Sequence, residues 1–175
     1  ATPYYDDLEK FPAPKKIVDI YSKSQNMMLS LDRTIQLFYK DAAPLTGHIQ
    51  TLIESYKAYK EEKNLMDYDD LLVYTLKLLG KDSIRNKISD NYRYIMVDEY
   101  QDTNALQEKI LFLIAKKYQN LAIVGDDYQS IYAFRGSDIN NILCFPERFS
   151  DKCNTILINI NYRSTEEILA VANHM

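Results

Sequence analysis

Up to about residue 90 the apolar side chains recur at helical spacing, and beyond it they gather into short continuous runs. After "FPAPKK", the segment from Ile17 to Tyr39 has helix-like though imperfect spacing, and Pro14 suits a first turn. "APLTG" (43–47) interrupts the pattern, after which Ile49, Leu52, Ile53, Tyr56 and Tyr59 form a three-four stripe. "MDYDDLLVYTLKLLG" (66–80) then predicts a helix with Asp67 as N-cap, acids in its first turn and Gly80 just past its end.

The later runs, "YIMV" (94–97), "LAIV" (121–124) and "TILI" (155–158), have the length of strands covered on both faces. An amphipathic helix of crossover length, "TNALQEKILFLIAKKY", separates the first two. The order strand, helix, strand, loop, strand, helix predicts an α/β fold with a parallel sheet and right-handed crossovers. Ligands of such sheets bind beyond the carboxyl ends of the strands. Asp98 and Glu99 follow the first run directly, and Asp126 and Asp127 follow the second. Both acid pairs are therefore expected in the ligand crevice.

Bulk composition narrows the class only modestly. A hydrophobic content of 46% with 26% charged residues over 175 residues is ordinary for a globular chain of one domain, or of one domain with a subdomain. No apolar run reaches membrane-spanning length and no signal-peptide pattern is present, so no membrane role is expected. Cys144 and Cys153 are too few for a disulfide framework and point to a reducing cytoplasm. His48 and His174 lie far apart and away from both cysteines, which speaks against structural zinc. The net charge of −4 argues against a generally basic nucleic-acid wrapper, though not against a local groove.

The chemistry lies in the acid pairs. Magnesium takes hard oxygen ligands and needs only one or two protein carboxylates when phosphate oxygens and water complete its shell. Asp98 can supply one from a rigid strand end, and Glu99, with its longer reach, can orient or deprotonate an attacking water. Alone, the pattern also fits solvated turn acids. In the second loop Gly125 permits a tight turn. Gln129 can both donate to and accept from a terminal phosphate. Tyr132, Phe134 and Arg135 are the residue types that stack bases and hold phosphate on a single strand, although an aromatic pair also fits a core. Arg163 precedes a helix whose N-cap is Ser164 or Thr165, where it suits a phosphate or simply the surface, and Tyr162 can stack on a base.

Together, "VDEYQDTN", "VGDDYQSIYAFRG" and "NYRS" resemble motifs II, III and IV of the UvrD/Rep/PcrA family of superfamily 1 DNA helicases. "MDYDDLL" is similar to the stretch where that family's chain leaves a helical insertion and re-enters the motor lobe. The resemblance is specific from about Asp67 to Thr165. It implies a parallel-sheet P-loop NTPase (RecA-like) lobe, incomplete, over 67–175, preceded by a helical subdomain over 1–66 like part of the insertion called 1B. It further implies ATP and magnesium as cofactors, with Asp98 on the metal, Glu99 as catalytic carboxylate, and Gln129 at the γ-phosphate, coupling nucleotide state to DNA. Tyr162 would stack on adenine and Arg163 would be an arginine finger. Tyr132, Phe134 and Arg135 would lie on the single-stranded DNA path. Single-stranded and duplex DNA are the implied partners, 3′-to-5′ unwinding the implied activity, and repair or recombination the implied setting. Tyr128 stands where a third Asp is frequent, and Phe134 where many members have Trp.

The family's phosphate loop, G-x-x-x-x-G-K-[ST], does not occur in these 175 residues and is expected before residue 1. "LGKDS" (79–83) reads instead as a helix end and a helix start. A second motor lobe is expected beyond Met175. The isolated chain is accordingly expected to be a fragment, inactive toward ATP, with surface exposed for dimerisation. The competing readings are a non-catalytic interaction module derived from a helicase lobe, and a non-helicase ATPase or a nuclease-linked helicase such as the AddA/RecB type.

Overall fold

A computed structural model describes residues 11–132, 136–150 and 152–174. The chain divides into two compact units, Ala1–Phe145 and Pro146–Met175.

In the first unit, α1 (Pro14–Asn26) begins with proline in its first turn, as expected. The single helix expected over 17–39 is in fact two. Met28 adopts a left-handed backbone (φ 54°), and its N–H and that of Leu29 turn back onto the carbonyls of Gln25 and Ser24. Ser30 then caps α2 (Leu31–Phe38), its hydroxyl accepting from the Arg33 N–H at 3.2 Å. This local capping explains the imperfect periodicity. A 3-10 turn over Lys40–Leu45 leads into α3 (Thr46–Lys63), so Thr46 and Gly47 belong to the helix and the break lies earlier than expected. Of the stripe on α3, Ile49 and Ile53 are buried, with Ile17, Ile20, Tyr21, Ile35 and Ala42, in one apolar core. Leu52, Tyr56 and Tyr59 remain substantially exposed.

Asp67 caps α4 (Tyr68–Leu79) through a reciprocal capping box with Asp70. The "LGKDS" stretch spans the end of α4 and the start of α5 (Asp82–Asn91), in line with the sequence reading. Strand β1 (Ile95–Val97) pairs in parallel with β2 (Leu121–Ile123), in the register Ile95 to Leu121 and Val97 to Ile123. Between them runs α6 (Ala105–Ala115), capped by Asn104 in a second capping box with Gln107. Leu79, Leu106 and Ile110 form a second core, flanked by Leu72, Leu76, Ile88 and Leu113. The strand–helix–strand crossover is therefore present. The two strands are not covered on both faces: Met96 is 79% exposed, because the described residues place nothing over its side of the sheet. A short helix, α7 (Asn140–Leu143), follows the second loop. No helix among the described residues is long and apolar enough to cross a membrane.

Helix α8 (Phe145–Phe149) straddles the division between the units, and α9 (Glu166–Ala172) lies in the second, with Thr165 at its N-cap position. The third strand expected at 155–158 does not form. Ile156, Leu157 and Ile158 carry no strand pairing and are exposed, since a strand exists only within a ladder and no described residue offers this run one.

Candidate active site

The parallel ladder continues one step past both strands. The Val124 N–H donates to the Val97 carbonyl at 2.8 Å, and the Tyr100 N–H donates to the Val124 carbonyl at 2.9 Å. Both acid-bearing turns thus leave the sheet together at its carboxyl end. Asp98 and Glu99 are exposed there, whereas Tyr100 is fully buried, edge-on to Phe145, with its hydroxyl on Glu108 at 3.2 Å. An apolar anchor immediately behind two acids keeps them pointed outward.

Glu99 has a left-handed backbone (φ 52°), uncommon for a residue with a Cβ and costing on the order of 1–2 kcal/mol. Its N–H donates to the Asp98 carboxylate at 2.9 Å. Its own carboxylate accepts from the Gln101 side-chain amide at 2.7 Å. Gln101 is 1% exposed, and its Oε1 accepts from the Asp126 N–H at 3.1 Å. One buried carboxamide therefore joins the first acid turn to the second. Sequence reasoning missed Gln101. The signal available was Gly125: a Cβ there would lie 2.5 Å from Gln101 Oε1 and 3.2 Å from the Tyr100 nitrogen. Gly125 is required for this close approach, not for a left-handed turn, which among the described glycines only Gly136 adopts (φ 86°).

In the second loop Asp127–Gln129 form a 3-10 turn. Asp126 accepts from the Tyr128 N–H at 3.0 Å and from the Gln129 side-chain amide at 2.8 Å. Tyr128 is 94% exposed and contributes only its backbone to this turn, so the departure from a third Asp leaves the turn's bonding intact. Glu99, Gln101, Asp126 and Gln129 form a continuous hydrogen-bonded run. Tyr132 lines a cleft of about 860 Å³ together with Asn26, Tyr68, Asp69, Asp102 and Gln107. Phe134 and Arg135 lie outside the described residues. Tyr162 and Arg163 belong to the second unit, in the turn before α9. There the Asn161 side chain accepts from the N–H groups of Arg163 (2.8 Å) and Ser164 (2.9 Å).

Among the described residues no group of three or more His, Cys, Asp or Glu side chains forms a metal cage. The donor set at β1 fits a different kind of ion site. Asp98 offers an exposed hard oxygen on a rigid strand end, which suits a magnesium ion that keeps water and phosphate oxygens as its other ligands.

A second polar cluster joins α3 to α4. The Lys60 ammonium contacts the Asp67 carboxylate at 2.6 Å and that of Asp70, beneath the rings of Tyr21 and Tyr56. Burial alone would lower the lysine's pKa, but its hydrogen bonds to Asp67 and Asp70 outweigh that and raise it. Burial would raise Asp67, yet the Lys60 hydrogen bond and the Asp70 N–H hold it below its ordinary 3.8. Tyr21 is pushed up to about 12, chiefly by burial.

The UvrD/REP helicase N-terminal domain family matches residues 4–150. The chain is 40% identical over 128 residues to the ATP-dependent DNA helicase PcrA of Staphylococcus aureus (strain Mu50), a match covering 73% of this chain and 17% of that protein. It is 41% identical over 132 residues to the ATP-dependent DNA helicase PcrA of Staphylococcus epidermidis (strain RP62A), covering 73% and 18%. The chain thus spans less than a fifth of the length of these relatives.

Proposed function

The chain belongs to the UvrD/REP helicase family, and from that premise we propose that it forms the central part of an ATP-dependent DNA helicase motor. The observation that carries this reading is the pair of acid turns leaving one edge of a parallel strand pair, joined through Gln101. In this reading residues 1–66 are a 1B-like helical portion and residues 67–175 part of a RecA-like lobe. When bound, MgATP supplies the transferable phosphoryl group and the counter-charge on it. Asp98 holds the ion through its exposed carboxylate. Glu99 orients the attacking water and takes its proton, a role worth about 10²–10⁴ in rate. Gln129 presents its amide to the terminal phosphate, exchanging its bond with Asp126 for one to the nucleotide. By the motif resemblance, Arg163 would stabilise the charge developing on the phosphoryl group and Tyr162 would stack on adenine.

Tyr132, Phe134 and Arg135 hold single-stranded DNA by stacking and phosphate contact. Translocation runs 3′ to 5′ with unwinding of duplex DNA, in the cytoplasm and in the service of repair or recombination; the motif resemblance supports the direction and the setting. These roles are proposed for a helicase of the relatives' length, of which this chain spans less than a fifth. Glu99→Gln in that protein tests the reading. MgATP affinity should stay within about threefold while turnover falls at least about a hundredfold, the scale of losing a general base. Near-wild-type hydrolysis would remove Glu99 from the mechanism.

A further inference from the structure

We propose that Gln101 is the positioning residue that keeps the Glu99 carboxylate and the Asp126–Gln129 turn in one register, so that the acid and the turn leading to Tyr132 move together. The inference rests on the ATPase reading above and adds to it a physical connection between the hydrolytic carboxylate and the DNA-facing loop.

The geometry is specific to a carboxamide. Gln101 Nε2 donates to Glu99 Oε2 at 2.7 Å, and Gln101 Oε1 accepts from the Asp126 N–H at 3.1 Å. The opposite amide orientation would set oxygen against carboxylate and NH₂ against N–H, losing both bonds. A glutamate could accept from Asp126 but has no hydrogen to give Glu99 unless protonated.

The surroundings fix the group in place. It is 1% exposed, Gly125 leaves the room its oxygen occupies, and the Ser130 hydroxyl reaches the Gln101 carbonyl at 3.5 Å. The left-handed backbone of Glu99 persists only where neighbours over-determine it, and the Gln101 amide is one such neighbour. Beyond Asp126 the bonded run reaches Gln129, three residues before Tyr132. A shift of that loop on binding single-stranded DNA moves the Asp126 N–H, and through Gln101 it moves the Glu99 carboxylate.

The test compares Gln101→Met and Gln101→Glu with wild type in the full-length protein, with Glu99→Gln run alongside. ATP turnover is measured with and without single-stranded DNA, amide exchange is followed over residues 125–130, and melting temperature is recorded. For Gln101→Met, KM for ATP should stay within about twofold while the stimulation by DNA falls about tenfold or more. The Asp126 amide should exchange faster in this variant. For Gln101→Glu, which keeps an acceptor for the Asp126 N–H but offers no hydrogen to Glu99, DNA stimulation should also fall about tenfold or more while the Asp126 amide keeps its protection. Full DNA stimulation in Gln101→Met, or equal loss of basal and stimulated turnover with unchanged Asp126 exchange, overturns the proposal. If Gln101→Met does not fold, full DNA stimulation in Gln101→Glu overturns it instead. Loss of turnover in Glu99→Gln beside an unaffected Gln101→Met rejects the positioning role alone. Unaffected turnover in both rejects the ATPase reading and this role with it.

Discussion

The ammonium of Lys60, near the end of α3, contacts the carboxylate of Asp70, in the first turn of α4, and both side chains are largely shielded from solvent. Asp70 at the same time accepts from the Asp67 N–H at 3.0 Å, so one lysine closes a capping box that already satisfies the start of α4. The ion pair joins the helical first part of the chain to the segment that leads toward the sheet.

Lys60→Ala should leave two carboxylates without their counter-charge. Removing one partner of a buried pair costs about 3–5 kcal/mol, and the partial exposure of Asp67 reduces the expected loss to about 2–3 kcal/mol. Urea denaturation of the mutant beside wild type measures it. A change below about 0.5 kcal/mol would place this pair with ordinary surface ion pairs.

The same cluster sets a pH window. Asp67 is held below its ordinary 3.8, so its contribution is present above that value and is lost as pH falls through the depressed one. Lys60 is held above its ordinary 10.5, so its contribution is present below that value and is lost as pH rises through the raised one. Asp67→Asn keeps a good N-cap but no charge. Melting temperatures of mutant and wild type should differ at neutral pH, and the gap should start to narrow only as pH falls below 3.8, closing below the depressed value. A gap that stays constant across that range would assign the effect to packing.

Gly125→Ala should be destabilising by about 1–3 kcal/mol, because its Cβ meets the buried Gln101 and the Tyr100 backbone, neither of which can swing away. Gly47→Ala makes the control: nothing lies within 4 Å of its Cβ, and a helical position gains at most about 1 kcal/mol from the exchange. Denaturant midpoints of the two variants should move in opposite directions.

Phe134→Ala in the full-length protein should weaken single-stranded DNA binding by about 1–3 kcal/mol with little dependence on base sequence. It should also lower stimulation of the ATPase by DNA. Fluorescence anisotropy with a labelled oligonucleotide reads the first effect. Unchanged affinity with a reduced melting temperature would make Phe134 a core residue.

The sequence by itself determined the features that short-range physics controls. Asp67 and Asn104 cap α4 and α6 because a short polar side chain can reach the backbone three residues on. Two short apolar runs flanking an amphipathic helix gave a parallel pair, and parallel geometry alone places Asp98, Glu99, Asp126 and Asp127 at one end of it. Periodicity was less informative where local capping competes with it, as at Met28 and Ser30. "TILI" shows the opposite limit: its composition favours a strand, yet a strand also needs a partner's hydrogen-bonding edge, and no described residue supplies it. Only the tertiary structure decided which side chain joins the two acid turns. Gln101 stands within "VDEYQDTN", yet its bridging role is hidden there, because its second partner, Asp126, is 25 residues away and is met only after the crossover returns the chain to the same sheet edge. The same holds for Lys60, a charged residue on the same face of α3 as the buried Ile49 and Ile53, which is buried because the fold brings two carboxylates and two aromatic rings around it.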